Sequence, residues 1–128
     1  MMIFDTSFLF ALFRDNDVHH KIAVDFMKKN AEGKSLLMPI EVFEELMTVV
    51  TRKVSSEEAS KVGRILFSPK SPIELLRKAD NIFQNAWAIF QSLSPHEFSF
   101  TDCTLIALSR ELDCPILTFD KKLKQAVS

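Results

Sequence analysis

The stretch MIFDTSFLFALF, residues 2–13, decides how the fold of this chain begins. Its first three residues are apolar and predict a short buried strand, and residues 8–13 form a second apolar run. Asp5 lies between the two runs, where a carboxylate is drawn toward the core and an unpaired charge is costly. Asp5 is therefore either the N-cap of the following helix or one part of a site.

The composition is that of a globular protein with a single domain over residues 1–128. The chain is 47% hydrophobic and 26% charged, and its 128 residues are enough for a hydrophobic core. No apolar stretch approaches the roughly 20 residues that span a bilayer, and no basic leader precedes the first apolar residues. The two cysteines, Cys103 and Cys114, are too few for a disulfide framework. We expect both to be buried thiols in a reducing cytoplasm.

Charge and glycine content limit the chemistry that the chain can perform. The net charge is −1, so no overall positive field attracts nucleic acid. Only two glycines are present, whereas glycine-rich phosphate-binding loops need several close together. A nucleotide site of that kind is excluded, and any phosphate chemistry has to rely on side chains and metal.

Short apolar strands alternate with helices along the chain. Strands are predicted at residues 2–4, 35–38 and 115–119, without the turns that are typical of hairpins. Asp17 is expected to cap a helix that buries Ile22, Phe26 and Met27 on one face. The pattern predicts an α/β fold, an α/β/α sandwich around a central, mainly parallel sheet. Sites in such folds lie at the carboxyl ends of the strands.

The central region, about residues 55–93, is predicted to be a helical arm beside the sheet. A capping box over residues 55–58 begins one helix. Ser71 and Pro72 have the pattern of a second start, for a long amphipathic helix to the end of this region. A loop is expected near Ser94 and Pro95, and Thr101 and Asp102 then begin the next helix.

Four acids lie within apolar stretches rather than on charged surfaces. Each taken alone has a structural explanation, as a helix cap, a first-turn acid or a solvated side chain. Together they would repel one another unless a cation lay among them. Oxygen ligands without cysteine or imidazole favour Mg²⁺ or Mn²⁺, which can activate water for phosphodiester hydrolysis. The four are Asp5, Glu45, Asp102 and Asp120.

The stretches that contain these acids resemble the PIN-domain nucleases. IFDTSFLFALF, MPIEVFEELMTVVTRK, FTDCTLIALSREL and PILTFDKKL occur here in the family's order. The resemblance assigns Asp5, Glu45, Asp102 and Asp120 as catalytic, metal-binding residues. Ser7 and Thr118 match hydroxyls that position these acids or the bound water.

The helical acid of the family precedes a leucine, and three glutamates compete for that position. Glu45 fits it best because it directly precedes Leu46, with Pro39 six residues before it. Whether Glu41 or Glu44 shares its role stays open on the sequence alone.

The resemblance implies a PIN-like sandwich and a metal-dependent endoribonuclease that prefers single-stranded RNA. One or two Mg²⁺ or Mn²⁺ ions would assist hydrolysis to a 3′-hydroxyl and a 5′-phosphate. At this length the chain is similar to the stand-alone toxins of prokaryotic toxin–antitoxin pairs. The implied protein is a cytoplasmic homodimer that a small antitoxin inhibits. No association with a membrane is expected.

Several alternatives remain open at this stage. One is a PIN nuclease of RNA processing outside a toxin system, and another is a non-catalytic module that binds RNA or protein. An aspartyl-phosphate phosphatase is disfavoured because Ser7 occupies the place of the second acid that this chemistry usually needs. Trp87 is expected to pack or to form an interface. The histidines are expected to be surface or packing residues: His19, His20 and His96.

Overall fold

The computed structural model describes residues 1–92 and 97–127. This part of the chain contains four strands and seven helices. In chain order they are β1 (Met2–Phe4), α1 (Thr6–Phe13), α2 (His20–Asn30), β2 (Leu36–Pro39), α3 (Ile40–Lys53), α4 (Ser56–Leu66), β3 (Ile73–Leu76), α5 (Asp80–Ser92), α6 (Phe100–Leu112), β4 (Ile116–Leu117) and α7 (Lys121–Val127).

The strands form one parallel sheet in the order β3-β2-β1-β4. β1 is central, so that Ile3 lies opposite Leu37 on one side and opposite Ile116 on the other. The strands are nearly continuous apolar runs, which is typical of parallel strands that helices cover on both faces. The predicted parallel sheet is confirmed.

The order of the strands explains how the helices are divided between the two faces. From β1 the chain moves outward to β2 and β3, and it then crosses back to place β4 on the other side of β1. Because such crossovers are right-handed, reversing their direction places the later helices on the opposite face. The main helix contacts agree with this division: α1 with α2 and α3, α3 with α4, α5 with α6, and α6 with α7.

The same reversal defines where a site is expected. From β1 the chain continues to β2 on one side, whereas β4 pairs with β1 on the other side. Ligands of open parallel sheets bind outside the carboxyl ends of the strands at such a switch point. Asp5 directly follows β1, and residues 118–120 directly follow β4.

The prediction that residues 55–93 are entirely helical is wrong. Ile73–Leu76 is an edge strand that pairs with β2, and α5 begins at Asp80 rather than at Pro72. The Ser71 hydroxyl accepts a hydrogen bond from the backbone N–H of Ile73, 3.2 Å away, so it caps a turn into the strand. Hydrogen bonding to the open edge of β2 outweighs the local helical pattern. The predicted helix end at Leu93 and the loop near Ser94 and Pro95 lie outside the described residues.

The predicted capping box at the start of α4 is confirmed, and the predicted start of α6 differs by one residue. The Ser55 hydroxyl accepts from the backbone N–H of Glu58 at 3.0 Å, as the capping box requires. α6 begins at Phe100, one residue before the predicted start, because Ser99 is its N-cap.

The start of α2 differs from the prediction. Asp17 accepts a hydrogen bond from the backbone N–H of His19, 2.8 Å away, and the helix begins only at His20. Ile22, which was expected on the apolar face, is 60% exposed, and Ala23 is buried in its place. α2 packs mainly against α1 rather than against the sheet. Its buried face therefore includes Ala23 and leaves Ile22 exposed.

Both cysteines are buried free thiols, as expected. Burial raises the pKa of each thiol, and Asp102 and Asp113 raise the pKa of Cys103 and Cys114 further. Among residues 1–92 and 97–127, no helix combines the length and the apolar character needed to cross a membrane.

Candidate active site

A cleft of about 480 Å³ lies beyond the carboxyl ends of β1 and β4, and all four predicted acids line it. Asp5 follows β1, Asp120 follows β4, Glu45 projects from α3 and Asp102 from the first turn of α6. Residues separated by more than a hundred positions in sequence therefore meet at the switch point of the sheet.

Asp5 is buried, with 5% of its surface exposed, and two hydroxyls hold it. Ser7 donates to Asp5 Oδ2 at 2.8 Å, and Thr118 donates to the same oxygen at 2.6 Å. Each hydroxyl has one proton, so both protons are directed to a carboxylate that only accepts. Asp5 makes no side-chain hydrogen bond to the α1 backbone. The N-cap explanation of Asp5 is therefore wrong in its simple form.

The two hydroxyls also accept hydrogen bonds from the chain that follows β4. Ser7 Oγ accepts from the backbone N–H of Phe119, and Thr118 Oγ1 from that of Asp120, each at 3.0 Å. The network connects the ends of β1 and β4. Ser7 and Thr118, which the resemblance assigned as supporting residues, thus form the centre of this network.

Asp102 lies in the first turn of α6 and Asp120 directly precedes α7, and both line the cleft. Asp102 Oδ2 accepts from the backbone N–H of Ser99 at 3.0 Å and completes a capping box. Asp120 Oδ1 accepts from the backbone N–H groups of Lys122 and Leu123 at 2.9 and 3.4 Å. As in Asp5, one carboxylate oxygen is held, and no described residue makes a hydrogen bond to the other.

The electrostatics of Asp102 show that the acids influence one another. Burial raises the pKa of Asp102 above its ordinary value, and the charges of Asp5 and Glu45 raise it further. Hydrogen bonds from Ser99 act in the opposite direction but do not cancel the effect. Asp5 and Glu45 therefore each lie within electrostatic range of Asp102.

The structure distinguishes the three glutamates of α3. Glu45 lines the cleft. Glu41 forms an ion pair with Lys78 at 3.1 Å and does not line the cleft. Glu44 is exposed. The geometry thus brings Glu45, and neither of the others, to the remaining acids.

The donors suit a hard divalent cation, but they are not drawn together around one. Carboxylate oxygens are the ligands that Mg²⁺ and Mn²⁺ prefer. In the described part of the chain, no three His, Cys, Asp or Glu side chains are grouped closely enough to hold a metal ion. The oxygens of Asp5, Asp102 and Asp120 that no described hydrogen bond occupies are the ones available to an ion.

Several residues of the cleft were not predicted from the sequence. Asp17, His19, Lys53 and Ser99 also line it. Ser99 has a visible sequence pattern, since a serine three residues before an acid predicts a capping box. Lys53 could also have been found, because it lies eight residues after Glu45 and so on the same helix face.

His19 packs as expected, but it does so inside the cleft. Its ring lies parallel to that of Phe119, with centroids 4.2 Å apart, and Phe119 in turn stacks on Phe8 at 5.3 Å. His20 packs elsewhere, with Nδ1 2.7 Å from the carbonyl oxygen of Ala11. His96 lies outside the described residues.

Comparison with known proteins agrees with this architecture. A family model described as PIN domain matches residues 2–127. No curated protein sequence gives a significant match. Among solved structures, the chain is similar to Mycobacterium tuberculosis VapC20, which is described as a toxin that cleaves the sarcin-ricin loop. That match has a TM-score of 0.86 and 21% sequence identity, and it covers 98% of this chain and 95% of the other. At this identity the likeness concerns the fold.

Proposed function

The chain belongs to the PIN domain family, and we propose that it is a metal-dependent endoribonuclease acting on single-stranded RNA. One observation carries the proposal: four acids from four separate places in the chain line a single cleft at the switch point of the sheet. Mutual repulsion makes such an arrangement costly unless a cation and an anionic substrate occupy it.

Asp5, Glu45, Asp102 and Asp120 are the proposed ligands of one or two Mg²⁺ or Mn²⁺ ions. A bound ion supplies polarisation of a phosphate oxygen and activation of water. Ion binding requires the acids to move closer together than they are here. The side chain of Glu45 makes no hydrogen bond to another described residue, so it is free to turn inward.

The other polar groups of the cleft have positioning roles in this proposal. Ser7 and Thr118 hold Oδ2 of Asp5 and leave Oδ1 for the ion. Ser99 and the first turn of α7 do the same for Asp102 and Asp120. These contacts fix one carboxylate oxygen of each of the three acids.

We further propose that the protein is the toxin of a toxin–antitoxin pair in the cytoplasm. The fold that it shares with VapC20, over nearly the whole of both chains, supports this proposal. The proposed assembly is a homodimer that a small antitoxin inhibits. Exposed aromatic side chains on α5, Phe83 at 46% and Trp87 at 45%, support self-association.

The central test is RNA cleavage by purified protein with and without added Mg²⁺ or Mn²⁺. We expect products with 5′-phosphate and 3′-hydroxyl ends, and we expect Asp5→Asn to abolish cleavage in a folded protein. Asp15→Asn is the matched control, because Asp15 is exposed and does not line the cleft. Equal cleavage by Asp5→Asn would assign the activity to a contaminant or to another site.

A thermal-shift titration separates the nuclease from a non-catalytic binding module. A ligand that binds only the folded state stabilises it by about 2.7 kcal/mol at a hundred times its Kd. We expect Mg²⁺ or Mn²⁺ to raise the Tm of the wild type and to have little effect on Asp5→Asn. A module that binds RNA without a metal would show no such difference.

Co-expression separates a toxin from a nuclease of RNA processing. Expression of the wild type alone should arrest growth, and Asp5→Asn should not. The product of a small neighbouring reading frame should restore growth and bind the protein. Growth that continues despite active nuclease in the cell would favour RNA processing.

A further inference from the structure

Lys53, at the last turn of α3, faces the same cleft as the acids. It lies eight residues after Glu45, and both line the cleft. Its ammonium group lies over the ring of Phe10, with Nζ 5.2 Å from the ring centroid, and Phe10 lines the cleft as well. An aromatic ring attracts a cation without neutralising its charge.

The charges around Lys53 make this placement informative. Five carboxylates line the cleft, and among its described lining residues Lys53 alone is a lysine or arginine. Lys53 nevertheless forms no ion pair with them, since the one ion pair within residues 1–92 and 97–127 joins Lys78 to Glu41. Lys53 is thus held at the edge of an acidic cleft with no carboxylate partner in the described structure. A cation placed in this way is available to an anionic ligand.

We infer that Lys53 binds a backbone phosphate of the RNA next to the phosphate that is cut. The inference rests on the proposed ribonuclease function, since a polyanionic substrate has to approach a cleft that is itself acidic. Ions held by the acids would attract the reacting phosphate, whereas the neighbouring phosphates would need another positive group. A lysine ammonium provides a point charge for such a contact.

The first test compares steady-state RNA cleavage by Lys53→Met, Lys53→Arg and Arg52→Met. Methionine retains the apolar stem over Phe10 while removing the charge. Arg52 is the matched control, because it also lies in the last turn of α3 and is exposed, but it does not line the cleft. Both methionine variants lose the same favourable charge at the helix C-terminus.

We expect Lys53→Met to raise KM about three- to tenfold, as the loss of one partly solvated charged contact does. We expect kcat to change by less than about twofold, because a contact to a neighbouring phosphate is made equally in the ground and transition states. Lys53→Arg should stay near the wild type, and Arg52→Met should leave KM unchanged.

The salt dependence of KM gives a second readout that a purely structural role would not move. For single-stranded nucleic acid, each phosphate contact contributes about 0.7 to the slope of log affinity against log salt. Lys53→Met should therefore reduce the slope of log KM against log KCl by about 0.7, at constant Mg²⁺. Arg52→Met should leave the slope as it is.

The outcomes separate this inference from the proposed function. If the wild type cuts RNA while Lys53→Met retains its KM and its salt slope, the assignment of Lys53 is wrong. It is also wrong if Arg52→Met loses as much as Lys53→Met, since general charge then explains the effect. If Lys53→Met is poorly folded, Lys53→Gln takes its place in the same comparison. If the wild type cuts no RNA with either ion, the proposed function itself fails.

Discussion

Replacing Thr118 by valine tests whether the hydroxyl network at Asp5 stabilises the fold. Thr118 is buried, with 3% of its surface exposed, and its hydroxyl donates to Asp5 Oδ2 at 2.6 Å. Valine has nearly the same shape and is at least as well suited to the end of a strand. The substitution therefore removes the hydrogen bonds while leaving the packing almost unchanged.

The expected loss follows from the two bonds that Thr118 makes. A hydrogen bond to a charged group contributes about 1.5–3 kcal/mol. The second bond, from the backbone N–H of Asp120, contributes less because Asp120 is exposed and water can replace the hydroxyl. Ser7 still donates to Asp5, so the carboxylate keeps one partner. We expect Thr118→Val to lower the free energy of unfolding by about 2–3 kcal/mol.

Urea unfolding followed by circular dichroism measures this change. With a slope of about 1.5 kcal/mol/M, the midpoint should fall by roughly 1.3–2 M urea. Thr118→Ser is the control, because it retains the hydroxyl and loses only a methyl group, at about 1 kcal/mol. Serine should therefore be less harmful than valine, the reverse of what hydrophobicity alone predicts.

A double-mutant cycle with Asp5→Asn assigns the effect to this pair. The coupling free energy between the two substitutions should exceed about 1 kcal/mol, as for directly bonded side chains. A valine variant as stable as the wild type, or a coupling close to zero, would refute the assignment of a stabilising role to this network.

Three further predictions concern other parts of the molecule. Asp102→Asn should raise the Tm of the metal-free protein at neutral pH, because a folded-state pKa raised above the ordinary 3.8 makes the charged form unfavourable in the fold. This stabilisation should shrink as the pH falls through the folded-state pKa toward 3.8, because the wild-type carboxyl is then protonated in both the folded and the unfolded state. Melting curves over a pH series measure the trend, and a difference in Tm that does not change with pH would show that burial and repulsion are unimportant. Gly63→Ala should stabilise by about 0.5–1 kcal/mol in urea unfolding, since Gly63 lies inside α4 and an added Cβ meets Met47 Sδ at an ordinary 3.6 Å; a loss of stability would show that this contact is too tight. Leu46→Ala should cost about 2–5 kcal/mol by the same measurement, because Leu46 is fully buried beside Glu45, and a smaller loss would mean that the core closes around the cavity.

β1, β2 and β4 could be predicted from the sequence because each is a short apolar run, and β1 and β4 also end directly before a polar residue, Asp5 and Thr118. β3 could not, since only Ile73 of its four residues is buried and the Ser-Pro pair before it also fits the start of a helix. What makes Ile73–Leu76 a strand is the unpaired edge of β2, from Leu36 to Pro39. That edge is distant in sequence, so no local pattern contains it.

The acids could be predicted because carboxylates inside apolar stretches are unusual wherever they occur. Lys53 and His19 differ in this respect, because a lysine at a helix end and a histidine in a loop are ordinary surface residues. Their significance comes from the packing of α1 against α3 and from the stack of His19 on Phe119. Neither contact has a local signature in the chain, although the spacing of Lys53 from Glu45 does place both residues on one face of α3.

The network at Asp5 also connects the site to the completion of the sheet. Ser7 and Thr118 are 111 positions apart, and they meet because the crossover through α5 and α6 returns β4 to the side of β1. Only then does Asp5 gain its second hydroxyl donor, and only then does Asp120 join the cleft. The repulsion felt by Asp102 and the bonds that hold Asp5 therefore arise from the same folded arrangement. The hydrogen bonds from Ser7 and Thr118 stabilise the carboxylate of Asp5, whereas the repulsion destabilises that of Asp102. The fold therefore keeps the acids together at an electrostatic cost, and a bound cation would remove that cost.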